Sequence, residues 1–148
     1  MKPLIVLLGA TVIAAIIIRI ATGIIDIKMS GRFGMAAMLL FTGIGHFVFT
    51  KGMTMMMPAF VPFKRAIVYG TGLLEWIAAA ALLVPAWQAA AGWFLLVFFV
   101  LLLPANIYAA LRGIDYQQGT NTGPGKKYLL FRVPLQAFFI AWAIWCAL

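Results

Sequence analysis

Five apolar runs, each close to the length needed to cross a bilayer, fill most of this 148-residue chain. They cover Pro3–Ile25, Phe33–Phe49, Ala66–Val84, Trp87–Leu111 and Leu129–Leu148. A helix needs ~20 residues to cross the hydrocarbon core, with a range of about 17–25. Lipid offers no partners to backbone N–H and C=O groups, so runs of this length are expected to close their bonds internally as helices. Hydrophobic residues make up 66% of the chain and charged residues 9%, against roughly half and a quarter in soluble domains. A globule this small cannot hide that excess inside itself. The expected fold is all-α, a polytopic transmembrane helix bundle whose outer solvent is lipid.

The net charge of +8 raises the question of nucleic acid, but the basic residues are scattered between apolar runs rather than gathered on one face. They are better read as orientation signals. If all five runs span, Lys2, Lys51, Lys64, Arg65, Arg112, Lys126 and Lys127 fall on one side, and Lys28 and Arg32 on the other. Seven against two favours the N-terminus inside and the C-terminus outside, as in a bacterial cytoplasmic membrane. Tyr69, Tyr108 and Tyr128 mark the inner ends, and Trp87, Trp93 and Trp145 the outer ends, in the manner of interfacial aromatic belts. A cleaved leader competes for the first run, since Ala21-Thr22-Gly23 loosely resembles a cleavage site. The run is longer than the ~7–15 residues of a leader's apolar region, and a spanning helix is the expectation.

The lone cysteine, Cys146, excludes an internal disulfide and a CxxC redox pair. A single histidine makes an all-protein transition-metal site improbable. No metal, covalently bound cofactor or nucleic-acid partner is therefore expected.

Polar side chains inside the apolar runs are few, and five of them fall toward the same membrane face. With a rise of ~1.5 Å per residue, His46 lies about 6 Å inside its run and Asn106 about 7 Å. Arg132 and Gln136 lie roughly 5 and 10 Å inside theirs, and Glu75 roughly 13 Å. Runs two and four end on the side where runs three and five begin, so all five residues share one leaflet whichever way the chain inserts. Lipid tolerates such groups when they pair with one another or with a ligand. Arg132 and Gln136 are four apart and share a helix face. Glu75 is the expected partner of Arg132, because an unpaired charge at that depth is costly. Two roles fit the group: a ligand site, or hydrogen bonds and one ion pair that hold four helices together. No Ser-His-Asp arrangement, phosphate loop or zinc motif accompanies it.

Two connections bear on the cluster. Residues 51–65 are apolar for a loop, with Met53, Met55, Met56 and Met57 followed by Pro58 and Pro62. Met57, Pro58 and Pro62 are expected to form a lid over the polar residues. The thioethers are soft ligands of the kind copper(I) takes, but methionine more often fills apolar gaps, and packing is expected. Residues 112–127 form the long polar segment, and their Gly, Pro and Asn content leads to the expectation of an exposed basic loop at the membrane surface. Pro104 is expected to kink the fourth run and free a carbonyl.

Several short motifs occur in a telling order. They are Gly43-Ile44-Gly45-His46-Phe47, then Pro58 and Pro62, then Gly72-Leu73-Leu74-Glu75, then Leu82-Leu83-Val84-Pro85. Pro104-Ala105-Asn106, Arg132-Val133-Pro134-Leu135-Gln136 and Trp142 follow. In this order the chain resembles the DoxX-like family of small membrane proteins over about residues 33–145. The resemblance implies a four-helix core spanning residues 33–148, with residues 1–32 as an additional N-terminal transmembrane helix and short loop. It adds weight to His46, Glu75, Asn106, Arg132 and Gln136 as a group. The family name traces to a membrane subunit of thiosulfate:quinone oxidoreductase, and other relatives serve oxidative-stress complexes, assembly or cargo reception. The expectation is an accessory membrane protein without catalytic activity of its own, binding a quinone- or lipid-like ligand in an intramembrane polar pocket. The alternatives are the membrane subunit of a quinone-linked oxidoreductase, and an assembly or interaction subunit of a larger membrane complex. The expected partners besides the lipid bilayer are a membrane-complex subunit or further copies of the chain in a homo-oligomer.

Overall fold

A computed structural model describes residues 2–148. Among these, six α-helices account for nearly all the ordered structure: α1 (Lys2–Thr22), α2 (Ile27–Val48), α3 (Thr50–Met55), α4 (Lys64–Leu83), α5 (Gln88–Leu111) and α6 (Leu129–Ala147). Single turns of 3-10 helix at Pro85–Trp87 and Gly125–Tyr128 lead into α5 and α6. All but α3 are long and apolar enough to cross a membrane. Their outward faces carry large apolar side chains, with Ile20 80% and Leu130 84% exposed. Water would make such a surface very costly, and lipid does not.

The second helix begins at Ile27, six residues before the apolar run suggested. Asp26 starts it by accepting a hydrogen bond from the Met29 N–H at 2.8 Å, a local gain that overrides the polar composition of the first turn. Arg32 follows on the same helix and donates to the Cys146 carbonyl at 3.0 Å, while Trp142 Nε1 donates to the Gly31 carbonyl at 3.2 Å. These bonds tie the start of α2 to the end of α6, where carbonyls lack partners within the helix.

α2 is the central element and packs against α1, α4 and α6, while α5 packs against α4 and α6. The apolar core is built from Leu7 on α1, Met35 and Leu39 on α2, Leu82 on α4, Leu95 on α5 and Ala143 on α6, all essentially inaccessible. α5 is continuous through Pro104. The ends of α2 and α5 and the beginnings of α1, α4 and α6 converge at one end of the bundle, beside α3 and the polar loop. Lys2, Lys51, Lys64, Arg112, Lys126 and Lys127 belong to this basic end.

Candidate functional site

A cavity of about 490 Å³ opens inside the basic end, between α2, α4, α5 and α6. His46, Glu75, Asn106, Arg132 and Gln136 all line it. Its remaining walls are mostly apolar, among them Met38, Phe41, Phe99, Leu102 and Phe139. A volume of this size lies within the ~300–1,000 Å³ typical of small-molecule sites.

One wall comes from the crossing of α2 and α4, which two glycines make close. A Cβ added to Gly72 would sit 2.7 Å from the His46 Cβ, and one added to Gly43 would overlap Trp76 Nε1. Small residues let membrane helices approach in this way. The approach brings His46 Nε2 to 3.3 Å from Glu75 Oε1, with both side chains buried. Two threonines complete the set reciprocally. Thr42, one turn before His46, donates to Glu75 Oε2 at 2.7 Å, and Thr71, one turn before Glu75, lies 3.0 Å from His46 Nδ1.

The hydrogen bonds fix where protons sit. His46 Nδ1 is 2.9 Å from the Val68 carbonyl. A carbonyl only accepts, so Nδ1 carries a hydrogen. Thr71 gives its own proton to the backbone of α4 and is left to accept. With Nδ1 occupied, the contact between Nε2 and Glu75 needs one further proton, held either by the carboxyl or by the imidazole. Both arrangements leave the pair with no net charge, which suits its depth.

The opposite wall belongs to α5 and α6. Arg132 Nη2 donates to Asn106 Oδ1 at 2.7 Å, Asn106 Nδ2 reaches Gln136 Oε1 at 3.5 Å, and Gln136 Nε2 donates to the Phe99 carbonyl at 2.9 Å. Pro104 has no N–H to offer the neighbouring Val100 carbonyl, and Gln136 binds the backbone in this weakened turn. The guanidinium also lies 5.9 Å from the Tyr116 ring centre and 5.8 Å from that of Tyr128. Every buried side-chain nitrogen or oxygen among the described residues has a partner.

Two expectations are corrected here. Glu75 pairs with His46 and Thr42, not with Arg132, whose partner is Asn106. Charge complementarity favoured the first pairing, but the close crossing at Gly43 and Gly72 turns the carboxyl toward α2. Of the expected lid, Met57 lines the cavity, whereas Pro58 and Pro62 do not. α3 covers the site instead, contributing Met53 and continuing into Met56.

Residues not expected from the sequence also line the cavity: Thr42, Thr71, Lys2 and Tyr116. The threonines had a signal, since each precedes an ionisable residue by four positions and so shares its helix face. Tyr116 had none, because its loop reads as exposed. In the structure the Tyr116 ring meets Phe49 edge-on at 6.0 Å. A Cβ on Gly52 of α3 would overlap the Tyr116 carbonyl. Gly52→Ala is therefore expected to push the polar loop off α3 and raise amide hydrogen exchange across residues 113–123 by about tenfold. Unchanged exchange there would show that α3 does not hold the loop.

A family model described as a domain of unknown function (DUF8561) matches residues 35–147. The chain belongs to the DUF8561 family. The match takes in α3 to α6 and α2 from Met35 onward. All five polar residues therefore lie within the DUF8561 region, and so do Thr42, Thr71 and Tyr116, while Lys2 lies outside it. No curated protein and no solved structure matches the chain.

Proposed function

We propose that this DUF8561 protein is an accessory membrane protein that binds a quinone- or lipid-like ligand in the cavity at its basic end. The observation that carries the reading is the gathering of the few intramembrane polar side chains, from four helices, around one cavity of about 490 Å³. Hydrogen bonds alone would hold four helices together without leaving a chamber between them. Arg132, steadied by Asn106 and Gln136, is the donor to ligand oxygens, and His46, steadied by Glu75 and Thr71, faces it across the chamber. The apolar walls take the ligand's hydrocarbon portion. The DoxX-like resemblance belongs to the same proposal, as does a bacterial cytoplasmic membrane with the basic end inside. In the second reading, a membrane subunit of a quinone-linked oxidoreductase, the single proton shared by Glu75 and His46 would be relayed to or from a quinone at the chamber wall.

The test is native mass spectrometry of the protein extracted in mild detergent. A small amphiphile is expected to copurify near one per chain, and Ala105→Trp, which fills the chamber from α5, is expected to displace it. An empty parent protein, or equal occupancy in a folded Ala105→Trp protein, would falsify ligand binding.

A further inference from the structure

We infer that the ligand is an anionic amphiphile, a hydrocarbon chain ending in a carboxylate or a phosphate monoester, with Arg132 as the counter-ion of its headgroup. The inference rests on the proposed ligand-binding role of the cavity and specifies the ligand's charge and direction.

A second cavity of about 300 Å³ lies outside the first, and the two share Lys2, Met56, Asn106, Tyr116, Gln117 and Arg132 as walls. The inner space is walled mainly by apolar side chains, and the outer one by the polar loop and the start of α6. Arg132 stands at the junction. A guanidinium has five N–H donors, and among the described residues only one acceptor, Asn106 Oδ1, is bonded to it. The guanidinium carbon also lies over the rings of Tyr116 and Tyr128, contacts that use no N–H donor.

No carboxylate among the described residues lies within 4.0 Å of it. The acids nearby are already engaged. Glu75 is taken by His46 and Thr42. Asp115, on the outer wall, accepts from the N–H groups of Gln117 and Gln118 in its own turn. Lys2 adds a second positive charge on the shared wall. A half-buried cation without a counter-ion, between water and an apolar chamber, fits a ligand that brings the negative charge with it.

The same inventory sets the ligand's direction. The His46–Glu75 pair at the inner wall is neutral overall, so nothing there calls for a charge. The headgroup sits at Arg132 and Lys2, and the chain runs inward past Leu102 and Phe99 toward Phe139.

Binding of three probes with one tail distinguishes the possibilities: oleate, oleyl phosphate and oleyl alcohol, titrated against the full chain in neutral detergent with empty micelles as the blank. Either anion or both are expected to bind about tenfold or more tightly than the alcohol. Preference for oleate would indicate a free fatty acid, and preference for oleyl phosphate a phosphate-bearing lipid. Arg132→Gln is expected to erase the difference, and Lys2→Gln, an exposed change that leaves the bundle intact, to reduce it and its salt dependence. Equal binding of alcohol and anions to the parent protein overturns the inference without recourse to any variant. Tight binding of a neutral decyl-quinone with no preference for anions would overturn the inference while leaving the proposed ligand site in place. Failure of all four probes would remove both.

Discussion

Glu75→Ala is expected to lower the unfolding free energy in detergent by about 2–3 kcal/mol, whereas Glu75→Gln stays within about 1 kcal/mol of the parent protein. The alanine strips His46 Nε2 of its partner and leaves the Thr42 hydroxyl facing an empty space. The glutamine offers an N–H to Nε2 and a carbonyl to Thr42, the same donor and acceptor as a protonated carboxyl. Losses at buried ion pairs in soluble proteins run to about 3–5 kcal/mol. A smaller figure applies here because hydrogen bonds within membranes average below 1 kcal/mol and the unfolded chain finds other partners in lipid. Thermal unfolding followed by tryptophan fluorescence should separate the two variants by roughly 5–10 °C. Equal losses in both would place the shared proton on the imidazole, as an ion pair, and not on the carboxyl.

Gly43→Ala and Gly72→Ala are each expected to cost about 1–3 kcal/mol, because the added methyl groups force α2 and α4 apart. The double variant should lose clearly less than the sum, since either methyl already opens the same crossing. Gly70 provides the contrast on the same helix. Among the described residues no neighbouring element or side chain lies within 4 Å of a Cβ placed there, so Gly70→Ala is expected to gain about 0.5–1 kcal/mol from the glycine's lost entropy cost. Denaturation midpoints of the four proteins would decide the matter. A stable Gly72→Ala protein that keeps parental ligand occupancy would show that the close crossing is not what positions His46.

How much of this was legible beforehand depended on the kind of signal. Lengths of apolar sequence announce membrane helices well, because lipid imposes one length and one hydrogen-bonding solution. The meeting of the five polar residues at one end of the bundle was legible too, since rise per residue converts position along each run into height. Rotation about the helix axis was not, and it decides partners. Arg132 and Glu75 share one leaflet and are of opposite charge type, yet packing at Gly43, Gly72 and Trp76 turns Glu75 toward α2, while Arg132 bonds Asn106 on α5. The start of α2 escaped hydropathy because Asp26, Lys28 and Arg32 dilute it, though the aspartate signals a cap. α3 escaped because one and a half turns beside two prolines leave little periodicity to read. Residues 112–127 have the composition of a solvated loop, and only tertiary contacts reveal that Tyr116 faces inward.

That tyrosine makes one wall of the chamber out of chain lying beyond the ends of the long helices. A protease that nicks the backbone between Asp115 and Thr120 would leave every long helix whole and the apolar core unharmed. The fragments would stay together, and a test of folding would find nothing amiss. What would be lost is confinement at the doorway where the arginine stands, so an occupant would escape sooner from a protein that still looks intact.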